Sequence, residues 1–163
     1  MNDIPEIFLR CHCDPSKIRV KTDRMTGGFE IQSPERVVIG DGCVFNAPLF
    51  IHARGSVTIG RWCHIAGGLA IHTVNHDWRS AESLPYGPAD ICKPVVIGDA
   101  VWICANVTIA PGVTVGRGAI LSIGSVVFED VPECAIVRGN PAHVIKYRDW
   151  DACKRLFDEG KFI

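Results

Sequence analysis

His72 and His76 stand four residues apart, just before a polar stretch of the chain. In an extended strand, residues at even separations lie on the same side, so both imidazoles would face one way. An imidazole that titrates near neutral pH is suited to accept a proton from a hydroxyl or an amine. A surface histidine at the end of a strand fits the same spacing equally well. The spacing therefore makes His76 a candidate general base and leaves both interpretations open.

The eight cysteines are the other residues that could carry chemistry, but their spacing is uninformative. None forms a Cys-x-x-Cys pair, and the closest two, Cys11 and Cys13, are separated only by His12. This cluster is too tight for a typical zinc knuckle, and no second ligand pair follows at a matching spacing. Because the first residues lack a positive stretch followed by an apolar run, we expect no secretory signal, reduced thiols and a cytoplasmic location.

Composition and charge exclude several classes of protein. The 163 residues are 47% hydrophobic and 21% charged, which is not typical of a disordered chain. Seventeen basic and 18 acidic residues give a net charge of −1, so no overall field favours nucleic acid or an anionic membrane. The 16 glycines and 10 prolines disfavour a helical bundle, because both residue types interrupt helices. These values predict a single compact domain.

Aliphatic residues recur at every sixth position in the second half of the chain, at Ile97, Ile103, Ile109, Val115, Leu121 and Val127. A helix of 3.6 residues per turn does not fit this period, because successive members would drift around its surface. A β-sandwich would instead alternate with a period of two. Earlier segments keep the same spacing, at Ile39, Phe45 and Ile51 and again at Ile59, Ile65 and Ile71. The period therefore predicts short strands whose inward side chains recur along the chain.

The period also divides the chain. Residues 37–146 hold the repeats, and within them residues 77–96 break the period. That stretch is polar and rich in turn formers, so we expect it to leave the repeats as a loop. Residues 1–36 are predicted to be an irregular segment or a partial coil. Residues 147–163 carry apolar side chains at helical spacing, which predicts a short C-terminal helix.

Short motifs follow one another in the repeat region: VTIG (57–60), TVNH (73–76), KPVVIGD (93–99), VWI (101–103), PGVTVG (111–116), GSVV (124–127) and GNPAHVIK (139–146). In this order they resemble the hexapeptide-repeat acetyltransferases that O-acetylate sugars, such as the maltose, galactoside and nodulation-factor enzymes. The resemblance extends over about residues 37–148. It implies an all-β fold, a left-handed parallel β-helix of about four coils that bury their aliphatic positions against one another.

The same resemblance implies the roles of individual residues. His76 stands where members of the family have their catalytic base. Asn46 stands where the family has an asparagine that contacts the acceptor sugar. Trp102 stands where the family has a tryptophan that packs beside the active site and the pantetheine arm of the cofactor. Acetyl-CoA is the implied acyl donor, transferring its acetyl group directly to a hydroxyl or, second in preference, an amine. The implied cofactor-binding positions are Ala105, Ile123, His143 and Lys146. Arg138 and Arg148 are nearby candidates for pairing with the cofactor phosphates, although a solvated basic edge fits these two arginines equally well. The family is trimeric with active sites between subunits, so we expect a homotrimer.

Several positions depart from the family pattern. Cys104 stands where glycine is usual, and Glu129 replaces a lysine near the cofactor end. Residues 1–36 do not resemble the helical segment that precedes the coils in the maltose and galactoside enzymes. The acceptor is therefore left open, and the surface-polysaccharide and antibiotic-modifying acetyltransferases are the nearer group. No residue that orients His76 is identified, since the adjacent Asp77 should point to the other side.

Two alternatives fit the sequence as well. A γ-class carbonic anhydrase shares the coil architecture and binds zinc between subunits, and its ligands here would come from His52, His64, His72 and His76. That family pairs two of its histidines five residues apart, whereas His72 and His76 are four residues apart. The GNPAHVIK motif also favours an acetyltransferase, for which no metal is expected. A non-catalytic β-helix that serves as an assembly subunit would need neither His76 nor Trp102, and it would not need the following loop.

Overall fold

Eighteen short strands and two short helices make up the computed structural model, which describes residues 4–17, 19–21 and 28–163. The helices are α1 (Glu6–Leu9) and α2 (Trp150–Asp158), and two 3-10 turns span Pro15–Lys17 and Pro34–Arg36. The strands are β1 (Arg19–Lys21), β2 (Phe29–Gln32), β3 (Val37–Ile39), β4 (Val44–Asn46), β5 (Leu49–His52), β6 (Val57–Ile59), β7 (His64–Ile65), β8 (Leu69–His72), β9 (Val74–His76), β10 (Asp90–Cys92), β11 (Val95–Ile97), β12 (Trp102–Ile103), β13 (Thr108–Ile109), β14 (Thr114–Val115), β15 (Ile120–Leu121), β16 (Val126–Val127), β17 (Ala135–Gly139) and β18 (Ala142–Tyr147).

The chain winds through three sheets of parallel strands. Face A contains β3, β6, β11 and β14; face B contains β1, β4, β7, β12, β15 and β17; face C contains β2, β5, β8, β13 and β16. Each circuit returns the chain to the same face one strand further on, as when Thr58 pairs with Val96 and Val96 with Thr114. The predicted left-handed parallel β-helix is confirmed, with about 5 turns. The period of six indicated about four turns. The structure has one more because β1 and β2, which lie before the regular repeats, add to the coil.

The period of six arises because each face places one aliphatic side chain inside the triangle at the same position. The residues of the longest run, from Ile97 to Val127 in steps of six, are all at most 1% exposed. Side chains one position away along each strand point outward; Val96, for example, is 39% exposed beside the buried Ile97. Burying an aliphatic side chain contributes about 1.5–3 kcal/mol, so the interior stack is the main source of stability.

The corners between faces need small residues or left-handed backbone. Gly68 has a φ of +86°, and a Cβ there would lie 2.1 Å from Oδ1 of Asn106 in the next turn. Asn106 itself has a φ of 59°, a conformation that asparagine tolerates better than most residues. Stacked corners therefore restrict residue type as strictly as the interior does.

The excursion from the regular coil is built on a β-hairpin. β9 and β10 pair antiparallel, with His76 opposite Asp90, and residues 77–89 connect them. The sequence predicted a loop over 77–96, but the second half of that stretch forms β10 and β11. β11 returns the chain to face A because Val95 and Ile97 are inward-facing and at most 1% exposed.

The C-terminal part covers one end of face B. β17 and β18 pair antiparallel, and α2 follows, capped by Asp149, whose carboxylate accepts a hydrogen bond from the Ala152 N–H at 2.8 Å. Cys153 is the buried residue of α2. Among the described residues, no helix has the length and apolarity required to cross a bilayer.

All eight cysteines are free thiols, and several serve in packing. Cys43 and Cys63 are fully buried, and each thiol donates a hydrogen bond to a corner carbonyl, that of Gly60 at 3.1 Å and that of Gly98 at 3.2 Å. Burial raises the pKa of the Cys11 thiol to about 12, which keeps it protonated at neutral pH.

Replacing Ile97 by alanine is expected to lower the free energy of unfolding by about 2–5 kcal/mol, because it opens a cavity in the interior stack. Val96→Ala is the matched control on the same strand, and we expect a cost of about 0.5 kcal/mol there because that side chain points outward. Urea unfolding of both variants at one protein concentration measures the difference. Equal costs at the two positions would contradict the inward and outward assignment.

Candidate active site

His76 lies at the end of β9, on the corner where the chain passes from face C to face A. Its Nδ1 is 2.8 Å from Oδ1 of Asp90, the residue directly opposite in the hairpin. Directly opposed side chains in an antiparallel pair point the same way, which explains how two residues 14 positions apart come into contact. The His76 side chain is 52% exposed and therefore accessible to another molecule.

Arg54 holds the other side of the Asp90 carboxylate. It belongs to the same corner one turn earlier, and its Nη1 donates to Oδ2 of Asp90. Hydrogen bonds from Arg54 and then from His76 hold the pKa of Asp90 below its ordinary value, so the carboxylate is ionised at neutral pH. An ionised carboxylate only accepts hydrogen bonds, so the nitrogen that donates to it is Nδ1–H. The neutral imidazole consequently presents Nε2 as a free proton acceptor.

The connecting loop covers one face of the imidazole. The Tyr86 ring stacks on His76 with a centroid separation of 3.8 Å and an interplanar angle of 8°. Hydrogen bonds from the Gly87 N–H to the Asp77 carbonyl at 3.0 Å and from Ser83 Oγ to the Tyr86 carbonyl at 2.7 Å hold the loop in this shape. The stack and the Asp90 contact together limit rotation of the ring.

The base of the hairpin is anchored to the coil through Thr73, which is fully buried. Its hydroxyl donates to the His52 carbonyl at 2.6 Å and accepts from the Gly55 N–H at 2.8 Å. The Lys93 N–H donates to the Thr73 carbonyl at 2.8 Å where the excursion rejoins the coil. His76 is thus positioned by the coil itself, through a short hairpin.

The residues that the resemblance associates with the acceptor lie on face B. Asn46 ends β4, and its Nδ2 donates to the Ile65 carbonyl of the next turn at 2.8 Å. Trp102 points outward from β12 and is 50% exposed. It lies in an outward column between His64 and Ile120, its register partners in the adjacent turns.

The residues that the resemblance associates with the cofactor follow face B toward its C-terminal end. Ala105 and Ile123 occupy the corner between faces B and C, where the Gly124 N–H donates to the Ala105 carbonyl at 2.9 Å. Arg138 and His143 are opposite each other in the β17–β18 hairpin, and Lys146 is opposite Ile136. All three basic side chains are exposed, while Arg148 follows β18 and is half-buried.

The structure therefore separates the expected site residues into two groups. His76 with Asp90 occupies the corner between faces C and A, which in a triangular cross-section is opposite face B. Asn46, Trp102 and the cofactor candidates lie on face B or its corner with face C. Within one chain the candidate base and the candidate binding residues are not brought together.

Sequence reasoning missed Asp90, Arg54 and Tyr86. Asp77, the acidic neighbour that it considered, accepts a hydrogen bond from the Arg79 N–H at 3.2 Å. Asp90 lies within the stretch predicted to be a loop. The signal for a strand there was the short segment from Asp90 to Cys92, in which polar and apolar residues alternate just before the repeat resumes. Only the hairpin register identifies which carboxylate faces His76.

The remaining histidines are distributed over different faces. His52 and His72 are register partners on face C, where burial and the neighbouring His52 lower the pKa of His72. His64 lies on face B, and its Nε2 is 2.7 Å from the main-chain oxygen of Ile163. Within the ranges that the structure describes, no three His, Cys, Asp or Glu side chains are grouped as metal ligands.

Comparison with known sequences finds a family model and a relative that aligns over most of both chains. The family model described as bacterial transferase hexapeptide (six repeats) matches residues 94–128. The Saccharomyces cerevisiae protein YJL218W, which is named as an acetyltransferase, is 36% identical over 138 residues. That alignment covers 79% of this chain and 68% of the yeast protein.

Solved structures give the same result. The hexapeptide-repeat acetyltransferase VCA0836 of Vibrio cholerae, solved in complex with acetyl-CoA, is 30% identical with a TM-score of 0.64, covering 85% of this chain and 68% of that one. A maltose O-acetyltransferase of Clostridium difficile is 25% identical with a TM-score of 0.74, covering 91% of this chain and 79% of that one. The motifs, the coil and these similarities agree, and the chain belongs to the hexapeptide-repeat acetyltransferase family.

Proposed function

We propose that this protein transfers the acetyl group of acetyl-CoA to a hydroxyl group of a sugar or a related small molecule, with His76 as the general base. The observation that carries the proposal is the imidazole geometry: an ionised Asp90 fixes Nδ1–H, and Nε2 is directed away from that contact as a proton acceptor. Membership of an acetyltransferase family supports the class of reaction. The VCA0836 complex supports acetyl-CoA as the donor.

The reaction proceeds by direct transfer. The acceptor hydroxyl gives its proton to Nε2 of His76 while its oxygen attacks the thioester carbonyl carbon. The resulting tetrahedral oxyanion accepts a hydrogen bond from a main-chain N–H, for which Ala105 is the candidate. When the intermediate collapses, the carbon–sulfur bond breaks and the imidazolium returns the proton to the leaving thiolate, whose thiol has a pKa of about 8.5. Asp90 stabilises the imidazolium between these steps.

The donor is proposed to lie along face B and its corner with face C. Ala105 and Ile123 border this path with main-chain groups and an exposed isoleucine side chain. Arg138, His143 and Lys146 lie at its C-terminal end, where basic side chains suit the phosphates of CoA. Asn46 on β4 and Trp102 on β12 lie on face B away from that C-terminal end, where the acceptor would meet the thioester.

A complete site requires a second copy of the chain. The corner that carries His76 is opposite face B, so a base and a binding face that work together must come from different subunits. Repeating this contact by rotation closes a ring, and a homotrimer with three shared sites is the proposed assembly.

Replacing His76 by alanine is expected to lower the turnover number about 10²–10⁴-fold, because the proton acceptor is lost. Release of the CoA thiol is measured over a set of sugars, nucleotide sugars and aminoglycosides with acetyl-CoA. His12→Ala is the control, since that imidazole contacts the main-chain oxygen of Glu35, remote from the hairpin. Wild-type turnover in His76→Ala on an accepted substrate would show that His76 is not the base.

Replacing Asp90 by asparagine is expected to lower the turnover number about 10- to 100-fold while leaving the KM for acetyl-CoA unchanged, because a hydrogen bond to a charged partner is lost at the imidazolium. Nitrogen-15 NMR of His76 provides a readout of positioning. The wild type is expected to show the Nδ1–H tautomer, and the variant a mixture of tautomers. A single unchanged tautomer in Asp90→Asn would contradict the role of Asp90.

The pH dependence of stability follows from the lowered pKa of Asp90. A carboxyl with a lower pKa in the folded than in the unfolded chain adds stability above the unfolded value of about 3.9, and this stability is lost as pH falls through the folded value. The Asp90→Asn variant should therefore be less stable than wild type at neutral pH. The difference should shrink below about pH 4 in thermal unfolding curves.

The shared site predicts complementation between two inactive variants. When His76→Ala and Trp102→Ala chains are unfolded together and refolded in equal amounts, about a quarter of the sites should combine an intact His76 with an intact Trp102 of a neighbour. Thiol release should recover to about that fraction of wild type. A monomeric mass by sedimentation, or no recovery on mixing, would contradict the shared site.

A further inference from the structure

A groove of about 580 Å³ lies on face B beside Trp102, and the chain that follows α2 forms one of its walls. Its lining includes Trp62, His64, Trp102, Arg148, Lys161 and Phe162. Its volume lies within the range of about 300–1,000 Å³ that is typical of small-molecule sites. Among its lining residues the sequence analysis assigned roles only to Trp102 and Arg148, and it assigned none to the segment that closes the groove.

The wall is held against the coil by aromatic contacts and a hydrogen bond. The Phe162 ring stacks on Trp62 with centroids 5.7 Å apart and an interplanar angle of 12°, and Phe157 packs edge-on against Phe162 at 5.7 Å. One residue further, the main-chain oxygen of Ile163 lies 2.7 Å from Nε2 of His64. The groove is therefore preformed, and a ligand would not need to order this segment.

The groove combines a flat ring with a cationic side chain. Trp102 is 50% exposed and offers an indole surface of the kind on which a sugar ring packs. Nε of Arg148 is buried and has no hydrogen-bond partner among the described residues. Arg148 lines the groove, and part of its side chain is accessible there. Its Nε lies beneath that surface, so a bound anion would pair with the other N–H groups of the guanidinium. The other cation, Lys161, pairs with Glu159 at 2.8 Å.

The position of Arg148 distinguishes it from the other cofactor candidates. Its main-chain N–H donates to the Cys134 carbonyl at 2.8 Å, which places it at the corner between faces A and B. Ala105 and Ile123 lie on the opposite edge of face B, at its corner with face C. Trp102 stands between the two, so an arginine at the first edge is placed for the acceptor and not for the pantetheine path.

We propose that this groove is an acceptor subsite for a sugar that carries an anionic group, either a carboxylate or a phosphate. Arg148 pairs with the anion, Trp102 packs against the ring, and the segment containing Phe162 limits the size of the acceptor. The inference rests on the proposed function, because it names the class of acceptor for the same reaction. It predicts that anionic sugars are accepted in preference to neutral sugars and to cationic aminoglycosides.

The test compares glucose, glucuronate and glucose 1-phosphate in two assays, equilibrium binding without acetyl-CoA and thiol release with it. The proteins are the wild type, Arg148→Met and the control Arg155→Met, which removes one positive charge from the exposed side of α2. Wild type should bind at least one anionic probe about tenfold or more tightly than glucose. Arg148→Met should weaken binding of that probe about 10- to 100-fold, with little change for glucose or in the KM for acetyl-CoA. Arg155→Met should resemble wild type.

The two anionic probes identify the source of the charge, since glucuronate supplies a carboxylate and glucose 1-phosphate a phosphate. If neither binds more tightly than glucose, or if Arg148→Met raises the KM for acetyl-CoA and leaves the anion preference intact, the inference is overturned. A variant that retains the wild-type circular dichroism spectrum shows that any loss is not due to misfolding. Tighter binding of an anionic probe without any thiol release would contradict the proposed function and support the groove as a site for anionic sugars. Acetylation of neutral sugars alone would support the proposed function and overturn the inference about the groove.

Discussion

One turn of this coil cannot bury its own aliphatic side chains, so each turn depends on the turns above and below it. Ile97, Ile103 and Ile109 face the interior from three successive faces and are at most 1% exposed. Because the interior side chains are stacked in register, the outward side chains are stacked in register as well. The outward columns, such as that of His64, Trp102 and Ile120 on face B, are a consequence of the interior packing, and the candidate binding residue Trp102 stands in one of them.

The catalytic candidate is placed by a local exception to that regularity. Between Thr73 and Lys93 the chain leaves the stack and forms a hairpin, and the hairpin register sets His76 opposite Asp90. Arg54, from the corner one turn earlier, completes the contact on the carboxylate. A flexible loop would not hold an imidazole between a carboxylate and a stacked tyrosine, whereas a hairpin whose base is anchored by the buried Thr73 does.

The two groups of candidate site residues reflect a single geometric fact about a triangular coil. A corner and the face opposite to it cannot contribute to one site within the same chain. Separating His76 from Trp102 in this way makes assembly a requirement for the proposed chemistry, and it leaves the outer part of face B available to the segment that carries Phe162. The acceptor would then be recognised by a subunit different from the one that supplies the base.

The sequence predicted the class of fold well because the period of six is a direct record of interior burial. The resemblance of the repeat region to a known family pointed to His76, Asn46 and Trp102 as site candidates, and their roles remain proposals. The sequence did not identify Asp90 or Tyr86, since neither is part of a periodic pattern and both reach His76 only across the hairpin. It also extended the loop over β10 and the start of β11, because β10 pairs with one strand only and directly follows a stretch rich in turn formers.

What the sequence alone determined is therefore the coil: aliphatic residues at a fixed spacing can be buried together only by stacked turns, and this requirement is local and repetitive. What only the tertiary structure decided is which side chains meet across it. The contact between Asp90 and His76, the opposition of that corner to face B, and the groove that Arg148 and Trp102 both line all join residues far apart in sequence. Such contacts depend on strand register and on how segments pack onto the coil, and no spacing along the chain records them.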